Sequence, residues 1–96
     1  MKITDETKFN ELMAKADHCN ELNEHYAGID NAVQDGDTYE EHGSTEKECE
    51  DKLAYVDLTR VELCSELGVP MNFLLDVLDS CVVNRWEMYS YMKRYF

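Results

Sequence analysis

Apolar residues recur at three- and four-residue steps along three stretches of this chain, a pattern that predicts three amphipathic helices. In the first, Phe9, Leu12, Met13, Ala16, Cys19 or Asn20, Leu22 or Asn23, and Tyr26 form a narrow stripe. Thr4 or Asp5 supplies N-cap chemistry and Gly28 punctuates the far end, so the helix is expected from about Asp5 to Ala27. In the second, Cys49, Leu53, Val56, Leu63, Cys64 and Leu67 share an arc that also holds Arg60. Thr45 and Glu48 stand at capping-box spacing and Gly68 follows the last apolar step, which sets this helix at about 45–67. A lone arginine on such an arc is expected to reach the edge of the core or to pair with an acid.

The third stretch, PMNFLLDVLDSCVVNRWEMYSYMKRYF, has no internal Gly or Pro, and its Pro70 suits a first helical turn. Met71, Leu74, Leu75, Leu78, Cys81, Val82, Trp86, Tyr89, Met92 and Phe96 fall on one broad arc, and Phe73, Val77, Met88, Tyr91 and Tyr95 on a second. A helix apolar over most of its circumference is normally buried. This one, over about 70–95, is expected to be the central post of a single all-α domain with a modest core. Its 27 residues would span roughly 40 Å as a helix, so its aromatic end is expected to project. Residues 28–44, GIDNAVQDGDTYEEHGS, lack a helical stripe and read as an acidic loop or minor hairpin turning at Asp35-Gly36.

Charge changes this picture from a bland bundle to a polarised one. Twenty-one acids against nine Lys and Arg give a formal charge of −12, which repels nucleic acid and anionic membrane and attracts basic protein surfaces. Direct nucleic-acid binding and membrane association are therefore not expected. Twelve of the acids lie between Ala16 and Asp51 with a single base, Lys47, whereas Arg85, Lys93 and Arg94 face only Glu87 from residue 85 onward. The segment MKITDETKFNEL has no apolar signal core and no run reaches membrane-spanning length, so the expected compartment is the cytoplasm, or the host cytoplasm if the chain is phage-encoded. Cys19, Cys49, Cys64 and Cys81 are widely spread without a CxxC pair and read as small core residues in a reducing compartment.

Candidate chemistry is sparse. Laying a calcium-loop template on NAVQDGDTYEEH puts Val33 and His42 where oxygen ligands are required, so this is not an EF-hand. His18, Cys19, His25, His42 and Cys49 have no zinc-site spacing, and no metal or cofactor is expected. The chain has no phosphate loop, nucleophile elbow or dinucleotide fingerprint, and enzymatic activity is not expected.

The run RVELCSELGVPMNFLLDVL resembles the helix-turn-helix DNA-reading motif, with small Cys64, a turn at Leu67-Gly68, Val69 after it, and Leu74 and Val77 on the second helix. Its outward positions are Asn72, Asp76 and Asp79, without the Lys or Arg that engages phosphate or guanine. Small, acidic, motif-free chains of this kind also resemble in type the inhibitors that mobile elements direct at host defence nucleases, anti-CRISPR and anti-restriction proteins among them. The leading expectation is a protein-binding inhibitor that masks the basic surface of a nucleic-acid-binding protein or nuclease complex. Asp30, Asp35, Asp37, Glu40, Glu41, Glu46, Glu48, Glu50 and Asp51 would form the contact. The alternative is a regulatory or assembly module that self-associates, as a homodimer, or binds a partner through Trp86, Tyr89, Tyr91, Tyr95 and Phe96.

Overall fold

The computed structural model describes residues 2–80 and 84–96, and every regular element among them is helical. Helix α1 spans Glu6–Gln34, α2 Glu46–Leu67, α3 Met71–Asp79 and α4 Arg85–Met92, with short 3-10 turns at Glu40–His42 and Lys93–Tyr95. The expected helical class is therefore what is seen, and no hairpin forms in 28–44.

Helix α2 has the expected limits because both ends carry their own signals. The Thr45 hydroxyl accepts the Glu48 N–H at 3.1 Å, and Gly68, in the left-handed region at φ 72°, closes the other end with its N–H on the Cys64 carbonyl. Helix α1 begins as expected, with the Asp5 carboxylate accepting the Thr7 N–H at 2.9 Å, but it does not stop at Gly28. The stripe continues through Tyr26, Ile29 and Val33, and burial of Ile29 outweighs the poor helix propensity of one glycine. The true stop is Gly36, whose φ of 114° only glycine adopts readily. There the Gly36 N–H reaches the Val33 carbonyl and the Asp37 N–H the Ala32 carbonyl, the paired bonds of a Schellman ending.

The third expected helix is two. Ser80 leaves helical geometry after Asp79, and Asn84 starts α4 by accepting the N–H groups of Trp86 and Glu87 on its side-chain oxygen at 2.9 and 3.2 Å. Cys81 and Val82, which the sequence sets on the buried arc, lie outside the described residues together with Met1 and Val83. Arg85 ties the pieces together. Its guanidinium grips the Asp17 carboxylate of α1 at 2.9 and 3.2 Å and donates to the Leu78 carbonyl at 2.9 Å. The central post is thus replaced by a short α3 buried on one face and an α4 that folds back over α1.

The core gathers Phe9, Leu12, Met13 and Ala16 from α1, Leu63 and Leu67 from α2, Phe73, Leu74, Val77 and Leu78 from α3, and Tyr89 from α4. Tyr89 fastens it. Its ring stacks on Phe9 at 5.0 Å, its hydroxyl donates to the Leu67 carbonyl at 2.7 Å, and the same oxygen accepts the Ile3 N–H at 2.9 Å. All of this lies at one end of an elongated molecule of 47 × 26 × 21 Å. At the other end α1 and α2 run on together as a two-helix arm, where the buried residues among those described are Cys19, Ile29, Cys49 and Val56, with the polar Ser44 and Thr59. Between the two ends Arg60, half-buried, donates to the Asn20 side-chain oxygen at 2.7 Å rather than to an acid.

Gly28 is exposed within α1, and a Cβ added there meets nothing within 4 Å. Gly28→Ala should therefore stabilise the protein by about 0.5–1 kcal/mol, read as a raised urea midpoint. An unchanged or lowered midpoint would place the end of α1 before this residue.

Candidate functional site

The nine acids singled out by the sequence all fall on the arm: Asp30 on α1, Asp35 and Asp37 at its end, Glu40 and Glu41 on the 3-10 turn, and Glu46, Glu48, Glu50 and Asp51 on the first turns of α2. The structure divides them into two groups by what their carboxylates do. Five have internal roles. Asp30 accepts the Tyr39 hydroxyl at 3.1 Å, and Glu48 accepts the Tyr26 hydroxyl at 2.9 Å. Asp37 faces the His42 ring nitrogen at 3.0 Å. Glu41 accepts the Thr38 N–H while Thr38 accepts the Glu41 N–H, both at 3.3 Å, a reciprocal cap on the 3-10 turn. Asp51 lies 3.9 Å from Lys47 one turn away, an exposed pair of about 0.3–0.5 kcal/mol.

The other four, Asp35, Glu40, Glu46 and Glu50, are exposed, and among the described residues their carboxylates have no partner. They surround the tip of the arm. They offer unneutralised charge within about one Debye length, ~8 Å at physiological salt, of whatever docks there. Glu21 and Glu24, left out of the sequence-based set, are exposed on the α1 side of the same arm. One flank is not purely acidic: His18, Leu22, Thr45, Lys47, Glu48, Asp51, Lys52 and Tyr55 line a shallow groove of about 690 Å³ along the α1–α2 seam.

The bracing tyrosines are the part that sequence reasoning missed. The stripe gives Tyr26 only as its last step, and no helical period in 28–44 points Tyr39 at Asp30. The hydrogen bond to Glu48 is the main cause raising the Tyr26 phenol above its ordinary value, with burial second. For Tyr39 burial comes first and the bond to Asp30 second. The carboxylate of Glu48 is thereby spent on Tyr26, 22 residues away, instead of reaching back to the Thr45 N–H as a full capping box would.

The aromatic set is split in the same way. Tyr89 is buried in the core and Trp86, half-buried, tilts onto Phe9 at 5.3 Å, so neither ring is free for a partner. Tyr91, Tyr95 and Phe96 remain exposed. The outward side of α3 shows Asn72, Leu75, Asp76 and Asp79, a surface that repels phosphate. Cys19 and Cys49 are buried and Cys64 half-buried, all three as free thiols, with burial raising Cys19 and Cys64. Among the described residues no three His, Cys, Asp or Glu side chains gather to hold a metal ion, and no helix is long and apolar enough to cross a membrane. No protein-family model matches the chain, and no curated protein or solved structure matches it either.

The raised phenols fix the sign of one pH effect. A tyrosine that stays protonated when folded contributes stability below its unfolded value of about 10 and loses it as pH rises through the folded value. The arm should therefore loosen in alkali, as phenolates form beside Asp30 and Glu48. Absorbance at 295 nm should show three phenols titrating late, Tyr26, Tyr39 and the buried Tyr89, and Tyr26→Phe with Tyr39→Phe should remove two of them and shift the alkaline loss of helical signal. An alkaline profile unaltered by the pair would contradict the bracing role.

Proposed function

We propose that this chain is a non-catalytic protein-binding module whose acidic arm occupies the basic, nucleic-acid-binding surface of a partner and so blocks it. The observation that supports this reading most is the division among the arm's acids. Five carboxylates are tied to two phenols, an imidazole, one backbone N–H and a lysine, while Asp35, Glu40, Glu46 and Glu50 at the tip are left unpaired among the described residues. The braced acids tie down the backbone that carries these four carboxylates, so docking has only their own side chains left to order.

Size and shape favour the same reading. The arm is two helices wide and stands clear of the core, so it can enter a groove built for a nucleic-acid strand. Inhibition of a nuclease, of the anti-restriction or anti-CRISPR type, is the form of that role that the charge serves best, and it would place the protein in the cytoplasm of the cell that holds the nuclease.

The test uses the protein immobilised as a full chain and an extract of its native host freed of nucleic acid. A nucleic-acid-binding protein should be retained, then released by about 0.5 M salt or by added duplex, as expected for counterion-linked binding. Replacing Asp35, Glu40, Glu46 and Glu50 by Lys should lower retention at least tenfold with the helical signal intact. Reversing the exposed acids Asp57, Glu62, Glu66 and Asp79, outside the arm, should leave it within about twofold. Equal effects of the two quadruple variants, or none from the first, would contradict the proposal.

A further inference from the structure

The groove between α3 and α4 has Phe73 and Asp76 on one wall and Glu87, Met88, Tyr91 and Met92 on the other, and encloses about 560 Å³. Phe96 packs back on Phe73 with ring centroids 5.1 Å apart and still leaves 46% of its surface in water. Tyr91 and Tyr95 beside it are 59% and 61% exposed. Single exposed apolar residues need no explanation, but a cluster of aromatic rings at the edge of an apolar groove does.

The charges around the groove are complementary and unmatched. Arg94 lies over the rings of Tyr91 and Tyr95, 4.5 and 5.1 Å from their centroids, and its hydrogen bond goes to the Tyr95 hydroxyl. Among the described residues it meets no carboxylate, in a chain with 21 acids and nine Lys and Arg. Asp76 and Glu87, both exposed at the groove, likewise meet no cation there. Within one molecule these groups stay apart, although they flank the same cleft.

We propose that the occupant of this groove is a second copy of the chain. The Tyr91–Arg94 edge of each copy enters the groove of the other, and Arg94 meets Asp76 and Glu87 of the partner subunit. Because edge and groove adjoin on one surface, the exchange is reciprocal, as a two-fold contact requires. Long-range charge favours this end. The acidic arm lies at the opposite end of a 47 Å molecule, several Debye lengths away, so two copies joined here keep their arms apart. A second apolar surface, Tyr55, Leu58 and Val61 on α2, is flanked by Asp51, Asp57 and Glu62 against Lys52, and pairing there would bring more acids than bases together. The contact is small. Rings of roughly 150–250 Å² each, about half uncovered, supply on the order of 600 Å² over two copies, against about 1,200 Å² for a stable interface. The contact therefore belongs with weak, reversible ones.

Sedimentation equilibrium from about 1 to 500 μM tests this directly. The mass should rise with concentration from 11.2 kDa toward twice that value. Tyr91→Ala and Arg94→Glu should each weaken association at least tenfold while the helical signal stays unchanged. Arg94→Glu combined with Asp76→Lys and Glu87→Lys should restore it, which mere loss of a local fold would not do. A monomer at every concentration would overturn the proposal. So would a dimer that survives Arg94→Glu, or one lost through Leu58→Glu and kept in Tyr91→Ala.

Discussion

From Phe9 to Ala16 on α1, and at Leu63 and Leu67 on α2, the seam between the two long helices is covered by α3 and α4. Beyond Cys19 and Val56 no third layer covers it among the described residues. The same two helices therefore pass from a closed core to a two-layer arm within a single element each. A seam without a third layer cannot exclude water by apolar burial alone, and the contacts change accordingly. Arg60 meets Asn20, Tyr26 meets Glu48, and Tyr39 meets Asp30 where the core end has leucine and phenylalanine. The charge separation follows from the same limit. Acids tolerated in water are carried where burial is thin, and the apolar and basic residues gather where α4 folds back over α1.

Tyr89 closes the covered end. Its hydroxyl answers two backbone groups from distant parts of the chain, the part-buried Ile3 N–H and the buried Leu67 carbonyl. Lys93 strengthens the same corner by donating to the Ile3 carbonyl at 2.9 Å while lying over the Trp86 and Tyr89 rings. These contacts account for why only part of the aromatic tail is left for association. Two of its five rings hold the fold, and the three beyond them stay outside.

The sequence was legible where a single residue type decides the geometry. Thr45 and Gly68 mark the ends of α2 because a hydroxyl and a left-handed glycine each do a specific job there. Gly28 misled because glycine is the usual stop signal, yet the three- and four-residue steps from Leu22 to Tyr26, Ile29 and Val33 run straight past it. Asn84 was hidden for the opposite reason. Its cap chemistry, with Glu87 three residues on, was present, but an arc apolar from Met71 to Phe96 made an unbroken helix look self-evident. The concentration of acids was plain from the letters. Which of them are spent on internal bonds was not, because the donors at Tyr26 and Tyr39 reach their acceptors only after α1, the 3-10 turn and α2 have come together.

The two ends of the molecule differ in what holds them. Native-state amide hydrogen exchange measures that difference residue by residue. Amides of α1 from Met13 to Cys19 and of α2 from Val56 to Leu63 should exchange only through global unfolding. Those from Gly28 to Gln34 and from Cys49 to Leu53 should exchange through local opening, at least a hundredfold faster. Uniform protection along α1 would contradict the division into a closed core and an acidic arm.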